Sequence, residues 1–375
     1  MPDLFDYLTW RGDLSFHQVP FGPVDGLILT TMCYVRLLGI VPPRPDKAIS
    51  LKEAAREFLS LPSEEIEKRV RVKRDIDLMA VLAETPRFSD LMLSGYTDYL
   101  GEEEQTQFAV ISIHLNPQET FVAYRGTDHT LTGWKEDFNM TFQDTVPAQH
   151  FAKEYLEHFA QWSQGTLILG GHSKGGNLAV YAAAMCSDEV RDRVKAVYSY
   201  DGPGFAETVL NSEGYSEVKS RLHSFVPESA IIGMMLEHRI IHTVVKSSSI
   251  GVLQHGPYSW MIEGNDFVQA EDRSKGSHVI DQAVKNWSAG MSDGEREELV
   301  ETVYDLIQTA EVERVEELIQ PRNIRQVIKA VREDPQSIQM VTGMLGELVK
   351  TTLLMAKNKE NRKAGLFRKK KTKEK

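Results

Sequence analysis

One stretch constrains the fold more than any other. Thr166-Leu-Ile-Leu-Gly-Gly-His-Ser-Lys-Gly-Gly-Asn-Leu-Ala-Val-Tyr-Ala-Ala-Ala184 joins a short apolar run to an Ala-rich one through Gly171-His-Ser-Lys-Gly175. The apolar run predicts a buried parallel strand over residues 166–169, and the Ala-rich run a helix over 177–186. Between them the chain must reverse sharply. Glycines on both sides of the turn let strand and helix approach without a Cβ clash. A strand delivered straight into a helix is the repeating unit of a parallel sheet covered on both faces.

Such a Gly-x-Ser-x-Gly turn lifts Ser173 above the sheet, near the positive end of the following helix. A serine hydroxyl is a poor nucleophile at neutral pH. It needs a base, a group to orient that base, and donors for a developing oxyanion. The chain supplies candidates in the order serine, acid, histidine. Two acids compete. Asp201 heads Asp-Gly-Pro-Gly204 directly after a strand predicted at 194–200, at the carboxyl end where sites in such sheets gather. Glu228 follows a strand predicted at 222–226, within Val226-Pro-Glu-Ser229. Asp201 is preferred and Glu228 stands as the alternative; a plain turn aspartate before Gly202-Pro203 is the bland reading of Asp201.

For the base, His255 in Val252-Leu-Gln-His-Gly-Pro-Tyr-Ser-Trp260 follows the last predicted strand in a Gly- and Pro-bearing loop. His242 falls inside an apolar strand pattern and reads as a packed residue. His278 starts a helix, His223 starts a strand, and His172 sits inside the turn itself. One oxyanion donor should be the backbone N–H of Lys174. The other should come from the loop after an earlier strand, Phe121-Val-Ala-Tyr-Arg-Gly-Thr-Asp128, where Thr127 can offer N–H and O–H. The Lys174 side chain reads either as a cation favouring an acidic substrate or as an exposed lysine at a helix start.

Further β segments are predicted at 108–115 and 120–124 around Asn116-Pro117, and at 240–246. Helices are predicted through 51–93, 133–142, 148–162 and near 228–238. The expected architecture is an α/β fold with a mostly parallel sheet, a helical insertion near the N-terminus and a helical C-terminal subdomain. The predicted divisions are residues 1–290, 291–356 and 357–375. The last segment carries ten Lys or Arg against Glu360 and Glu374, in a chain of net charge −11. It reads as a solvated end or as a weak contact for an anionic membrane surface. The acidic balance argues against nucleic-acid binding. Two cysteines, Cys33 and Cys186, give no disulfide framework. No zinc-protease motif, phosphate loop or dinucleotide fingerprint is present, so no metal or cofactor is expected. With no signal-peptide pattern and no run of 18 apolar residues, a cytoplasmic setting is expected, with the basic tail able to reach the inner membrane face.

Tyr124-Arg-Gly-Thr127 with Trp134 and Asp137 downstream, then Gly-His-Ser-Lys-Gly-Gly176, resembles the class 3 lipase pattern. The whole chain more closely resembles the bacterial Mbeg-like family of lipase-related α/β-hydrolases. That resemblance rests on Asp6-Tyr-Leu-Thr-Trp-Arg-Gly-Asp13, the serine turn, Asp201-Gly-Pro-Gly204, Ser229-Ala-Ile-Ile-Gly-Met234 and Gln254-His-Gly-Pro-Tyr-Ser-Trp260. It implies an α/β-hydrolase fold and serine hydrolysis of a small-molecule or lipid carboxylic ester, with Ser173 as nucleophile, His255 as base and Thr127 in the oxyanion hole. Class 3 lipases usually carry Leu at the position of Lys174. Their acid usually precedes Val-Pro, where this chain has Ser224-Phe-Val-Pro227, and this moves the acid to Asp201, as in animal-type lipases. A catalytically silent fold used for binding or membrane contact, and a thioesterase or peptidase, are the competing readings.

Overall fold

A computed structural model describes residues 2–274, apart from 102–104, 129–130 and 141–142, together with Ser277 and Gly294. His278, the boundary at 290, the expected helical end and the basic tail lie outside the described residues.

Among the described residues an eight-stranded sheet forms the centre: β1 Ala48–Ser50, β2 Met92–Gly101, β3 Thr106–Asn116, β4 Glu119–Tyr124, β5 Thr166–His172, β6 Val194–Tyr200, β7 Leu222–Pro227 and β8 Thr243–Val245. Their order across the sheet is their order in the chain. Pairings from β1 to β4 are antiparallel, and the four from β4 to β8 are parallel. The elbow strand β5 lies inside the parallel half.

Strand periodicity assigns the two faces. Residues two apart point the same way, so Ile111, Ile113, Phe121, Ala123, Ile168 and Tyr198 join one core. Val110, Val122, Tyr124, Leu167, Leu169 and Val197 join the other. Helices α1 Leu4–Arg11, α2 Pro23–Met32, α3 Leu51–Leu59, α4 Ser63–Lys68 and α5 Lys73–Glu84 belong to the N-terminal part. Of these, α1, α2, α3 and α5 bury residues in the first core. After them come α6 Leu131–Asn139, α7 Pro147–Trp162 and α8 Lys174–Met185, with α7 and α8 filling the second core. This is an α/β-hydrolase fold.

The leader is fastened by charge as well as apolar contact. The buried Arg87 guanidinium donates to both oxygens of Asp25 at 2.7 Å, and also to the carbonyls of Leu14, Val19 and Pro20. A buried ion pair holds when its remaining hydrogen-bonding groups are also satisfied, as they are here.

Three elements differ from the sequence expectation. Strand β2 has no clean alternation to read: Gly95 at φ 62 and a register shift between Ser94 and Thr97 break the period. The apolar run Ile231-Ile-Gly-Met-Met-Leu236 forms a single 3-10 turn, Ile232–Met234, instead of a helix over 228–238. Leu236 sits at φ 65, and the Gly233 amide is spent on the Asp201 carboxylate at 3.1 Å. The strand expected at 240–246 shortens to the three residues of β8, after which the Lys246 amide turns to the Val268 carbonyl.

Candidate active site

The strand–turn–helix at β5–α8 places Ser173 at φ 60, ψ −135, a conformation that L side chains rarely adopt. Such strain costs roughly 1–3 kcal/mol and persists where the surroundings over-determine it. They do so here. The Ser173 amide donates to the Tyr200 carbonyl at 2.9 Å, and the Gly176 amide donates to the Ser173 carbonyl at 2.8 Å. A Cβ on Gly171 would collide with the Gly175 backbone, and one on Gly175 with the Tyr124 carbonyl. Among the described residues Ser173 Oγ has no hydrogen-bond partner.

Asp201 directly follows β6 and also takes positive φ, 51°. Its amide donates to the Phe225 carbonyl at 2.7 Å. The carboxylate is 1% exposed, with Oδ1 accepting from the Gly233 amide and Oδ2 accepting from His255 Nδ1–H at 2.6 Å. Glu228 makes no bond to His255 among the described residues. Its amide donates to the Val245 carbonyl, and its own carbonyl accepts from the Ser274 amide. Asp201 and His255 are brought together, and Glu228 is left out.

His255 closes a short 3-10 turn, Gly251–His255, in a loop with little regular structure of its own. Side chains from elsewhere hold it. Tyr258 donates its hydroxyl to Asp75 Oδ1 at 2.7 Å, and Asp75 Oδ2 caps the start of α5 by accepting from the Arg71 and Val72 amides. Arg74 donates to the Tyr258 carbonyl at 3.2 Å. Gln254 accepts from the Ser229 amide, and its carbonyl accepts from Trp260 Nε1–H. His172 Nε2–H donates to the His255 carbonyl at 2.7 Å. Of the remaining described histidines near the sheet, His242 bonds Ser224 Oγ and His223 stacks on Tyr198.

In the loop after β4, Thr127 donates its hydroxyl to the Asp137 carboxylate, 2.8 and 2.7 Å from the two oxygens. That proton is committed, so the donor Thr127 can offer is its amide. Neither the Thr127 nor the Lys174 amide N–H has a hydrogen-bond partner among the described residues. Burial pushes the Asp137 carboxyl up to about 6, against the opposing pull of the Lys174 ammonium and the Thr127 hydroxyl.

The Lys174 side chain is neither exposed nor turned toward a substrate. It is 1% exposed, and Nζ donates to Glu136 Oε2 at 2.7 Å and to the Gln107 carbonyl at 2.9 Å. Glu136 is itself fully buried, accepting as well from Thr106 Oγ1, the Gln107 amide and the Ala148 amide. An ammonium taken out of water must find an anion, and α6 supplies one. No group of three or more His, Cys, Asp or Glu among the described residues is arranged to hold a metal, and no described helix is long and apolar enough to cross a membrane.

The Mbeg1-like family model matches residues 82–305, which include the serine elbow, the Asp201 turn and the His255 loop. The chain belongs to the Mbeg1-like family. Among solved structures, the crystal structure of M37 lipase aligns at 14% identity with a TM-score of 0.35, over 56% of this chain and 69% of that one. Rhizomucor miehei lipase in its propeptide complex aligns at 15% identity with a TM-score of 0.32, over 42% and 57%. No curated protein matches.

In this Mbeg1-like chain the residues that sequence reasoning missed are the supports. Glu136, Gln107, Asp75 and Tyr34 all bond to the serine elbow, the Thr127 loop or the His255 loop. One of them left a trace. A lysine inside a run of small and apolar residues requires a buried anion, and Glu136 stands beside the Asp137 of the lipase-like pattern.

Proposed function

We propose that this Mbeg1-like protein is a serine hydrolase that cleaves a carboxylic ester through an acyl-enzyme. The observation that carries the reading is the 2.6 Å bond from His255 Nδ1–H to Asp201, at the carboxyl edge of the sheet that also presents Ser173 on its strained turn. With Nδ1 donating to the carboxylate, His255 Nε2 is the basic nitrogen. It takes the Ser173 proton as Oγ attacks the ester carbonyl carbon, and returns that proton to the departing alcohol oxygen. The amides of Lys174 and Thr127, both without a partner among the described residues, bind the oxyanion of the tetrahedral intermediate. Water, deprotonated by the same nitrogen, attacks the acyl-serine, and the acid leaves as Ser173 regains its proton.

The test is a fluorophosphonate probe on the purified full-length protein, with the adduct mapped by mass spectrometry. Labelling at Ser173, absent in Ser173→Ala and strongly slowed in His255→Ala, is the expected result. A folded wild-type protein left unlabelled, or one labelled equally in Ser173→Ala, removes the reading.

A further inference from the structure

We infer that His172, the residue before the nucleophile, is a positioning residue that pins the loop carrying His255 to the elbow carrying Ser173, with Tyr34 fixing the tautomer that lets it do so. The inference rests on the triad assignment above. The His172 ring is fully buried and bonded at both nitrogens. A carbonyl oxygen can only accept, so the 2.7 Å contact to the His255 carbonyl puts the proton on His172 Nε2. Nδ1 is then an acceptor, and the Tyr34 hydroxyl, 2.8 Å away, donates to it. The His172 and His255 ring centroids lie 4.5 Å apart.

The surroundings favour the neutral, Nε2-protonated form. Burial first, then His255 and Arg71, hold the His172 ring well below the ordinary histidine range, against the opposing pull of the His255 carbonyl. The Arg71 guanidinium lies 4.0 Å over the Tyr34 ring and keeps that ring in place from the side of α5. Tyr34 also packs against the next strand end, since a Cβ on Gly126 would collide with its hydroxyl and with the His172 carbonyl. His172 therefore stands between three parts of the site. It is covalently next to the nucleophile, hydrogen-bonded to the backbone of the base, and seated against the strand end that leads to Thr127. The Asp201 bond leaves the imidazole free to swing with its backbone. The His172 bond removes that freedom by fixing the carbonyl of the same residue.

The decisive comparison is His172→Gln against His172→Met. The two side chains have nearly the same length and volume, and differ in whether a donor N–H stands where Nε2–H stood. Two readouts are taken on the full-length protein: hydrogen exchange of a peptide covering residues 251–260, and the rate of fluorophosphonate labelling at Ser173. We expect faster exchange and about tenfold slower labelling in His172→Met, with both largely restored in His172→Gln. Tyr34→Phe, a milder change, shifts both readouts in the same direction by a smaller factor. Equal behaviour of the Gln and Met variants, in exchange or in labelling, overturns the inference and assigns His172 to packing alone. If the wild-type protein is not labelled at Ser173, the hydrolase reading fails, while the exchange comparison still decides whether His172 holds the loop.

Discussion

The serine elbow and the base loop meet at one site but are built in opposite ways. The elbow is local: β5, the turn and α8 are contiguous, and the backbone itself sets Ser173 at positive φ. The base loop, from Gly251 to Trp260, has two 3-10 turns and is held by Asp75, Arg74, His172, Asp201 and Ser229 from across the chain. A nucleophile needs one strained geometry, which a strand-to-helix turn provides by covalent means. A base must be aimed at the nucleophile from a distant segment, and only side-chain contacts can fix that.

The largest expected effect tests the aim of the base. Asp201→Asn leaves the shape but reverses the donor–acceptor logic at Nδ1, and labelling of Ser173 should fall by up to about ten-thousandfold. Glu228→Gln should leave the rate unchanged within a small factor; a large loss there would transfer the acid to Glu228. Next comes the ion pair beneath the elbow. Lys174→Leu restores the residue usual in class 3 lipases but strands the buried Glu136 carboxylate. It should cost about 3–5 kcal/mol in urea denaturation, with most of this recovered on adding Glu136→Gln. A cost under about 1 kcal/mol would show that the pair adds little.

The third prediction concerns pH. Asp137 takes its proton at about 6 in the folded chain against an ordinary 3.8. Between these values the folded state binds more protons than the unfolded one, so this group's contribution to stability falls as pH rises. Below 3.8 both states hold the proton, and above about 6 neither does. Asp137→Asn should flatten that part of the curve of Tm against pH relative to wild type, and parallel curves would contradict it. Fourth, Ser173→Gly should abolish labelling yet stabilise the fold by roughly 1 kcal/mol, because glycine accepts the turn without strain. An unchanged or lower stability would deny that the elbow stores strain. The smallest effect belongs to Tyr258→Phe. Loss of the bond to Asp75 should cost about 1 kcal/mol and slow labelling several-fold, whereas the same deletion at a contact remote from the base would leave labelling alone.

What could be read from the sequence follows the same division. The placement of Ser173, Asp201 and His255 at one edge of the sheet was legible because each closes or follows a strand, and strand ends in a parallel sheet converge on one edge. The strands at 194–200 and 222–226 were legible from short apolar runs. Glu136, Asp75 and Tyr34 were not, because each acts through a partner 38 to 183 residues away and no periodicity marks such a pairing. The run at 231–236 misled because its composition is helical, while its backbone is shaped by one carboxylate, that of Asp201. Strand β2 escaped because a bulge at Gly95 erases the alternation that announces a strand.

The bond between Tyr258 and Asp75 bears on how a substrate could enter. Helix α5 lies in the helical segment between residues 51 and 93, where a movable cover could be sought. Lifting it would withdraw Asp75 and Arg74 from Tyr258 and release the loop that aims His255. Opening by that route and releasing the His255 loop would be one event. A fragment beginning at residue 82, where the family match begins, would contain Ser173, Asp201 and His255. It would lack both Asp75 and Tyr34, and with them the seat on which the base rests.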